Sequence, residues 1–552
     1  MYTKATKFKS SFLFFVLVFL FVVLLIRLFY LQLSPSPLPF KDKQQYEFAL
    51  CLKPQRGIIY DRKERKLAVS LTANSVYSFP KEIKDKNKTA AVLASILHLD
   101  KKTLLKKFSR KSFVWIKRKI SSAEEKAIRD KFLKGIYFLP EEKRFYPQGE
   151  LAAHIIGFCG IDNEGLEGIE LFYDDYLRGR EGWRFSEKDA HHSEIAAFEK
   201  QNIPLINGYN LLLTVDTVIQ YIVEKELKKT VEECKPLAAT VVVLDPQNGE
   251  LLALANYPTY NPNFFSSFST SSRRNQAVTD FFEPGSVFKI IAASAALEEK
   301  VAKLKDIFYC EKGRYCFRGH ILHDYHAYGK LNFSQVIEKS SNIGISKIAQ
   351  ILGRERFYKY ILKFGFASPT GVDLPGETQG LIMSPRNWQD ISMLNIPMGQ
   401  GIGVSSLQLG QAISVIASGG MLFQPHVVKE IRDEKGETIR SFSNSPRRII
   451  SKQTAQKMTE ILQRVVEKGT AKNAKIKGYK IAGKTGTAQK VNPRGGYYKD
   501  KFIASFIGFL PADKPLLSIV VVIDHPQGKY FGGTVAAPLF QRIGKQVMEY
   551  LR

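Results

Sequence analysis

The chain has few cysteines for its length. Five among 552 residues do not make a disulfide scaffold, although Cys310 and Cys316 flank a short Gly-containing stretch and a disulfide between them is a hypothesis. No long low-complexity tract is present. Hydrophobic residues at 44% and charged residues at 24% are ordinary for a folded protein, and the length predicts two or more domains.

Signals for nucleic-acid binding are also lacking. The net charge is +28, but Lys and Arg are spread along the whole chain, without zinc-finger spacing or leucine-zipper heptads behind a basic region. We therefore predict no nucleic-acid partner. The charge indicates a basic solvated surface, with attraction to anionic lipid headgroups and other anionic polymers as the functional alternative.

One apolar run is long enough to cross a membrane. It extends from Phe12 past Ile26 to Leu31, about the 20 residues that a spanning helix needs. Three lysines precede it, and no Ala-x-Ala cleavage site follows. We predict a cytoplasmic N-terminus (1–10), an uncleaved transmembrane anchor (11–31), a Pro-rich spacer (32–40) and an extracytoplasmic remainder.

Beyond the spacer, the pattern changes near Pro236. Residues 41–235 mix short strand-like and helix-like pieces without obvious chemistry, which predicts an elongated, non-catalytic α+β domain with a dimerisation or pedestal role. Residues 236–552 predict an α+β domain with a five-stranded antiparallel sheet and helices on both faces. The predicted strands are Ala239–Leu244, Glu250–Asn256, Tyr479–Gln489, Phe502–Phe509 and Leu517–Asp524, and the predicted helices include Val287–Glu299 and Val336–Leu352.

Three short motifs in this second domain carry candidate chemistry. Ser286 and Lys289 open a predicted helix and, three residues apart, share one face of it. A hydroxyl and a carboxamide follow in Ser340 and Asn342. The third motif, Lys484-Thr485-Gly486-Thr487, lies in a predicted strand, where a glycine marks a bulge or the close approach of another backbone, such as a bound peptide.

A serine hydroxyl is a poor nucleophile until a base takes its proton, and Lys289 is the titratable group that the motif places within reach of Ser286. Lys289 must be neutral to act. Lowering its pKa from about 10.4 to near 7 costs about 4 kcal/mol and requires burial and a nearby positive charge, which Lys484 could supply. Spacing alone is weak support, because Ser78 and Lys81 repeat it in an unremarkable context.

The order of the three motifs is the signature of penicillin-binding proteins and class A β-lactamases. The whole chain resembles class B penicillin-binding proteins, especially the septal, FtsI-type DD-transpeptidases. The stretches that carry this resemblance are 56–62, 165–170, 277–286, 477–484 and 498–510. One departure is Lys63-Glu64, which replaces the usual Asn-Gly turn after the first stretch and puts that local hairpin in doubt.

The resemblance implies a bacterial inner-membrane enzyme that cross-links peptidoglycan stem peptides through an acyl-Ser286 intermediate and is inhibited by β-lactams. It implies an oxyanion hole from the backbone N–H groups of Ser286 and Thr487, and a proton relay through Ser340. Asn342 would orient Lys289 and the donor peptide, while Lys484, Thr485, Gly486 and Thr487 would bind that peptide and its carboxylate. Expected partners are a glycan polymerase of the FtsW type and other division proteins; no cofactor or metal is expected.

Rival functions require motifs or partners of their own. A class A β-lactamase needs a Glu-x-x-x-Asn motif that is lacking between Asn342 and Lys484, and a bifunctional enzyme needs a Glu-Asp pair that is lacking in 34–235. An elongation-type transpeptidase and a non-enzymatic β-lactam sensor or scaffold stay open. His323 and His326 beside Asp324 are read as solvent-facing or hydrogen-bonded rather than as metal ligands.

Overall fold

The structure is a computed structural model that describes residues 4–33, 47–110, 112–188, 194–442 and 444–552. By their contacts, these residues form two compact units. The first is drawn from 1–54 and 180–206, and the second comprises 55–179 and 207–552.

The first unit contains the apolar helix and a small sheet. Helix α1 spans Lys4–Leu33, and its segment Ser11–Tyr30 is the one described helix that is long and apolar enough to cross a membrane. The sheet has the strand order β1–β6–β7, with β1 at Glu47–Leu52, β6 at Gly182–Lys188 and β7 at Glu194–Ile203. Most of the predicted spacer, residues 34–40, lies outside the described residues.

The second unit begins with a seven-stranded sheet of order β17–β16–β8–β2–β3–β4, in which β5 also pairs with β3. Its strands are β2 (Ile59–Tyr60), β3 (Lys66–Ser78), β4 (Val114–Lys117), β5 (Ile136–Phe145), β8 (Asn210–Leu213), β16 (Val428–Arg432) and β17 (Thr438–Ser441). The helices along this part of the chain are α2 (Lys86–Leu97), α3 (Lys101–Phe108), α4 (Ser122–Arg129), α5 (Ala153–Ile156), α6 (Gly168–Phe172), α7 (Asp174–Leu177) and α8 (Thr217–Cys234). Because β8 pairs with β16, strands from both sides of the predicted limit at 235/236 share one sheet.

The second sheet has five antiparallel strands, as predicted, in the order β10–β9–β21–β20–β19. They are β9 (Ala238–Leu244), β10 (Leu251–Tyr257), β19 (Ala482–Val491), β20 (Tyr497–Leu510) and β21 (Leu517–Asp524). The shorter strands nearby are β11 (Ile307–Tyr309), β12 (Arg314–Phe317), β13 (His320–His323), β14 (Lys330–Asn332), β15 (Met421–Leu422) and β18 (Arg447–Arg448). The domain limits themselves stay a prediction.

Helices cover both faces of the five-stranded sheet. The helices along this part of the chain are α9 (Thr270–Arg273), α10 (Gln276–Thr279), α11 (Lys289–Glu298), α12 (Phe333–Glu338), α13 (Asn342–Leu352), α14 (Arg354–Lys363), α15 (Ser392–Asn395), α16 (Ser406–Ala417), α17 (Lys452–Glu467) and α18 (Gly532–Tyr550). Phe540 of α18 packs on Phe506, whereas α16 approaches Val520. Phe506 lies opposite Val521 across the strands, so Phe506 and Val520 point to different faces.

Two local expectations were wrong. The predicted helix Val336–Leu352 is two helices, α12 and α13, because the chain breaks at Ser340, which has a left-handed φ of 59°. The doubted hairpin after β2 does form. Glu64 takes the left-handed φ of 62°, and the Asp61 carboxylate accepts hydrogen bonds from the backbone N–H groups of Lys63 and Arg65, both at 2.8 Å.

The disulfide hypothesis is not supported. Cys310 is buried, Cys316 is exposed, and both are free thiols in the structure.

Candidate active site

Ser286 lies in a turn of 3₁₀ helix, Gly285–Phe288, that leads directly into α11. Its side chain is half-buried, and its hydroxyl makes no hydrogen bond to the described residues. Gly285 has a φ of 59°, which a residue with a Cβ adopts only at a cost in free energy. This conformation turns the chain so that Ser286 precedes the buried start of α11.

Strand β19 runs beside that turn. A Cβ added at Gly486 would lie 2.9 Å from the carbonyl oxygen of Pro284 and 2.3 Å from Ser505 Oγ. A neighbouring backbone therefore does approach Gly486, but in the structure it is the segment leading to Ser286 rather than a bound peptide. The close approach brings the Lys484–Thr487 motif against the serine motif.

Ser340 lies at the break between α12 and α13, where its left-handed backbone directs its hydroxyl toward both lysines. Ser340 Oγ is 3.2 Å from Lys289 Nζ and 2.9 Å from Lys484 Nζ. Asn342 Oδ1 also accepts a hydrogen bond from Lys289 Nζ, at 2.7 Å. The three motifs, more than 190 residues apart at their extremes, therefore form one hydrogen-bonded cluster.

Both lysine side chains are fully buried, at 0% exposure. Burial lowers the pKa of Lys289 to about 7, although the Asp324 carboxylate acts to raise it. Burial and the positive charge of Lys289 lower the pKa of Lys484 well below its usual value. Two ammonium groups bridged by one hydroxyl repel each other, so the site favours a neutral amine on at least one of them near pH 7.

The remaining residues of the third motif lie along β19, the edge strand of the sheet. The Thr487 hydroxyl is half-buried and accepts a hydrogen bond from the Gly532 N–H at 3.1 Å. The Thr485 hydroxyl is 2.7 Å from Thr470 Oγ1, and the residue is only 7% exposed. An edge strand leaves alternate backbone groups unpaired by its own sheet, which is where an extended peptide can add.

Asp324 is a part of this site that the sequence did not predict. Its carboxylate accepts hydrogen bonds from Ser341 Oγ at 2.6 Å and from the backbone N–H groups of Asn342 and Ile343. The preceding carbonyl, that of His323, accepts from Asn342 Nδ2 at 3.0 Å. No local pattern could have revealed these contacts, because Asp324 is 17 residues before Ser341.

An α+β domain with these three motifs around one buried cluster defines a penicillin-recognising serine enzyme. The chain belongs to the penicillin-binding protein transpeptidase family: the model of the penicillin binding protein transpeptidase domain matches residues 239–545, more than half of the chain. The penicillin-binding protein dimerisation domain matches residues 52–213. Together, these domains and the N-terminal apolar helix make it a class B penicillin-binding protein.

Curated relatives match over most of their length. Stage V sporulation protein D of Bacillus subtilis is 36% identical over 511 residues, which cover 91% of this chain and 79% of the relative. Peptidoglycan D,D-transpeptidase FtsI of Escherichia coli is 33% identical over 498 residues, covering 88% of this chain and 82% of the relative. Penicillin binding protein 3 of Mycobacterium tuberculosis, solved in complex with ampicillin, is 28% identical with a TM-score of 0.71, covering 91% of this chain and 96% of that structure.

Proposed function

We propose that this protein is a peptidoglycan D,D-transpeptidase that cross-links stem peptides through an acyl-Ser286 intermediate. The observation that carries the proposal is the convergence of the two buried lysines, Lys289 and Lys484, on the Ser340 hydroxyl beside the Ser286 turn. The names of the FtsI and PenA relatives, at 33% and 34% identity, give the substrate class.

In the first step, neutral Lys289 takes the proton of the Ser286 hydroxyl as the oxygen attacks the penultimate D-Ala carbonyl of the donor stem peptide. The carbonyl oxygen becomes an oxyanion, held by the backbone N–H groups of Ser286 and Thr487. Lys484 and the Thr487 hydroxyl bind the terminal carboxylate, with Thr485 supporting the strand beside Thr470. Gly486 keeps β19 close enough to the serine for these contacts.

Ser340 then relays a proton to the leaving amine. Its oxygen is within hydrogen-bond distance of both lysine amino groups. The Ser340 O–H can therefore donate to the leaving nitrogen while Lys289, which holds the proton taken from Ser286, replaces it. The C–N bond breaks and D-Ala departs, leaving the acyl-enzyme. An amine from a second stem peptide then attacks the ester carbonyl and gives a proton to neutral Lys289. The bond from the carbonyl carbon to the Ser286 oxygen breaks as Lys289 passes that proton to the oxygen, which completes the cross-link and restores the serine. A β-lactam follows the first step but leaves a slowly hydrolysed adduct.

The test is labelling of the full-length protein in detergent with a fluorescent penicillin. The parent should be labelled at Ser286 and Ser286→Ala should not. The matched control is Ser78→Ala, since Ser78 has the same Ser-x-x-Lys spacing, is fully buried, and has no hydrogen-bond partner for its hydroxyl among the described residues. Rapid loss of the label would favour a β-lactamase, and labelling without turnover of a peptide or thioester donor would favour a sensor or scaffold.

We further propose a septal role in division, with the polypeptide anchored by α1, its N-terminus in the cytoplasm and its catalytic domain outside. The FtsI relatives support the septal role by name, and partners would be an FtsW-type polymerase and other division proteins. Stage V sporulation protein D points to the sporulation stage as the competing role. Localisation of a fluorescent fusion to the septum of vegetatively growing cells would separate the two.

A further inference from the structure

Asp324 follows strand β13 and reaches the start of α13. Its two carboxylate oxygens accept three hydrogen bonds, one from Ser341 Oγ at 2.6 Å and two from the backbone N–H groups of Asn342 and Ile343. These N–H groups belong to the first turn of a helix and have no partner within it. A carboxylate at this end also has the favourable sign for the helix dipole.

The same loop fixes the side chain of Asn342. The carbonyl of His323 accepts from Asn342 Nδ2 at 3.0 Å, so the amide nitrogen faces the loop and Oδ1 faces Lys289 Nζ at 2.7 Å. Residues 323 and 324 therefore hold both the backbone and the side chain of Asn342. These contacts set the direction of Oδ1 and add to the Ser341 cap at the start of α13.

Ser340 depends on these contacts as well. Its φ of 59° is unfavourable for a residue with a Cβ, and such a conformation persists only where the surroundings enforce it. Ser341, next in the chain, is tied on both sides, because its hydroxyl donates to Asp324 and accepts from the Gly344 N–H at 2.9 Å. This anchoring keeps Ser340 Oγ between the two lysines.

We propose that Asp324 is a positioning residue for acylation, holding the Ser340–Asn342 segment against Lys289 and Lys484 and supplying a negative charge that faces Lys289. The inference deepens the proposed function and rests on acylation of Ser286. The charged groups around Lys289 in the described chain are Lys484 from β19 and Asp324 from the loop after β13. Burial and the Asp324 carboxylate both raise the pKa of the Cys310 thiol and of the Tyr328 hydroxyl, so these two titratable groups also lie near Asp324.

The two roles are separable by substitution. Asp324→Asn keeps an acceptor oxygen for the helix N–H groups but removes the charge, whereas Asp324→Ala removes both. Since the carboxylate raises the pKa of Lys289 against the effect of burial, its loss lets that pKa fall further. The neutral amine then persists to lower pH, and the acid limb of the acylation profile moves to lower pH.

The experiment measures the second-order rate of fluorescent penicillin labelling from pH 5 to 10 on full-length protein in detergent. We expect Asp324→Ala to be slower on the order of 100-fold, as misplacement by about 1 Å can cost that much. We expect Asp324→Asn to retain more of the rate with its acid limb shifted downward. The matched control is Asp390→Asn: Asp390 pairs with Arg318 in the turn between β12 and β13, at 2.6 Å, but is exposed and has no contact with the three motifs.

The experiment distinguishes failure of the proposed function from failure of the positioning role of Asp324. A parent that is not labelled at Ser286 refutes the proposed function, not the role of Asp324. A labelled parent together with a parental rate in Asp324→Ala, or a parental acid limb in Asp324→Asn, overturns the inference. If Asp324→Ala fails to fold, as judged by its thermal melt, the pH profile of Asp324→Asn alone decides.

Discussion

At the scale of single residues, the hydrogen-bond acceptors around Lys289 distinguish its ammonium form from its neutral amine form. Lys289 Nζ contacts Ser340 O, Ser340 Oγ and Asn342 Oδ1, which are three acceptors for the three hydrogens of an ammonium group. A neutral amine has two hydrogens and a lone pair. Loss of the proton therefore frees one contact and gives the amine the lone pair that a general base requires.

This arrangement predicts the pH dependence of acylation. Because burial lowers the pKa of Lys289 to about 7, the labelling rate should rise through pH 7 as the amine loses its proton and level off above it. Lys289→Arg, which has no accessible neutral form, should lose about 10²- to 10⁴-fold in rate at every pH. The control is Lys452→Arg, exposed at the start of α17. A profile without a titrating group below pH 9 would contradict the assignment.

At the scale of elements, the sequence predicts the helices and strands whose hydrophobic pattern is visible within a few consecutive residues. The strand Leu517–Asp524 has the predicted bounds, because five consecutive apolar residues, 519–523, form a strand buried on both faces. The break at Ser340 could not be predicted in this way. The polar run 338–342 between α12 and α13 has no glycine to mark a left-handed residue, and the contact that holds Ser341, next to Ser340, comes from Asp324, which is distant in sequence.

Two of the stretches that carry the family resemblance, 56–62 and 165–170, contact each other although they are far apart in the sequence. Arg56, from the first stretch, contacts Glu170, from the second, at 2.7 Å, and Arg144 contacts the same carboxylate at 2.6 Å. All three side chains are at most 3% exposed. Burial opposes ionisation of Glu170, but the two guanidinium groups outweigh it and hold its pKa below the usual range.

Glu170→Gln should therefore destabilise the protein strongly. Removing one partner of a buried ion pair leaves uncompensated charge, here on Arg144, because Arg56 keeps its ion pair with Asp174 at 2.6 Å, and costs about 3–5 kcal/mol in the free energy of unfolding. Because folding lowers the pKa of Glu170, its stabilisation is complete above the unfolded-state pKa and is lost as the pH falls through the folded-state pKa. Glu170→Gln should accordingly show a lower thermal midpoint at pH 7 and a smaller further loss on acidification.

The matched control for that change is Glu125→Gln, whose partner Arg129 lies one helical turn away in a more exposed pair. Such a pair contributes at most about 1 kcal/mol, so the midpoint should barely move. Equal midpoints for the Glu170 and Glu125 variants would refute the structural role of the Arg56–Glu170–Arg144 network.

At the scale of the whole molecule, the domain limits along the sequence differ from the limits of the two units that the contacts define. The dimerisation-domain match, 52–213, includes residues 180–206, which by contacts group with the first unit. Strand β8 precedes the predicted limit at 235/236 yet pairs with β16, more than 200 residues later. Composition and turn signals report neighbours along the chain, so they cannot reveal a sheet assembled from such distant strands.

The proposed membrane topology can be tested with a thiol that the protein already has. Of the four cysteines whose side chains the structure describes, Cys316 is exposed, whereas Cys159, Cys234 and Cys310 are buried. If the catalytic domain lies outside the cytoplasmic membrane, as the lysines before the apolar run favour, a membrane-impermeant maleimide should label the parent on intact spheroplasts. Cys316→Ser is the control that assigns the label to this residue.

A cysteine introduced at the N-terminus tests the cytoplasmic side of the proposed topology. In a Cys316→Ser background, Lys4→Cys should react with the same reagent only after the spheroplasts are permeabilised, because the N-terminus would lie in the cytoplasm. Labelling of Lys4→Cys on intact spheroplasts, or of Cys316 only after permeabilisation, would invert the proposed orientation. An inverted chain would hold Ser286 on the cytoplasmic side, away from cross-linkable wall peptides, so this outcome would also count against the proposed transpeptidase role.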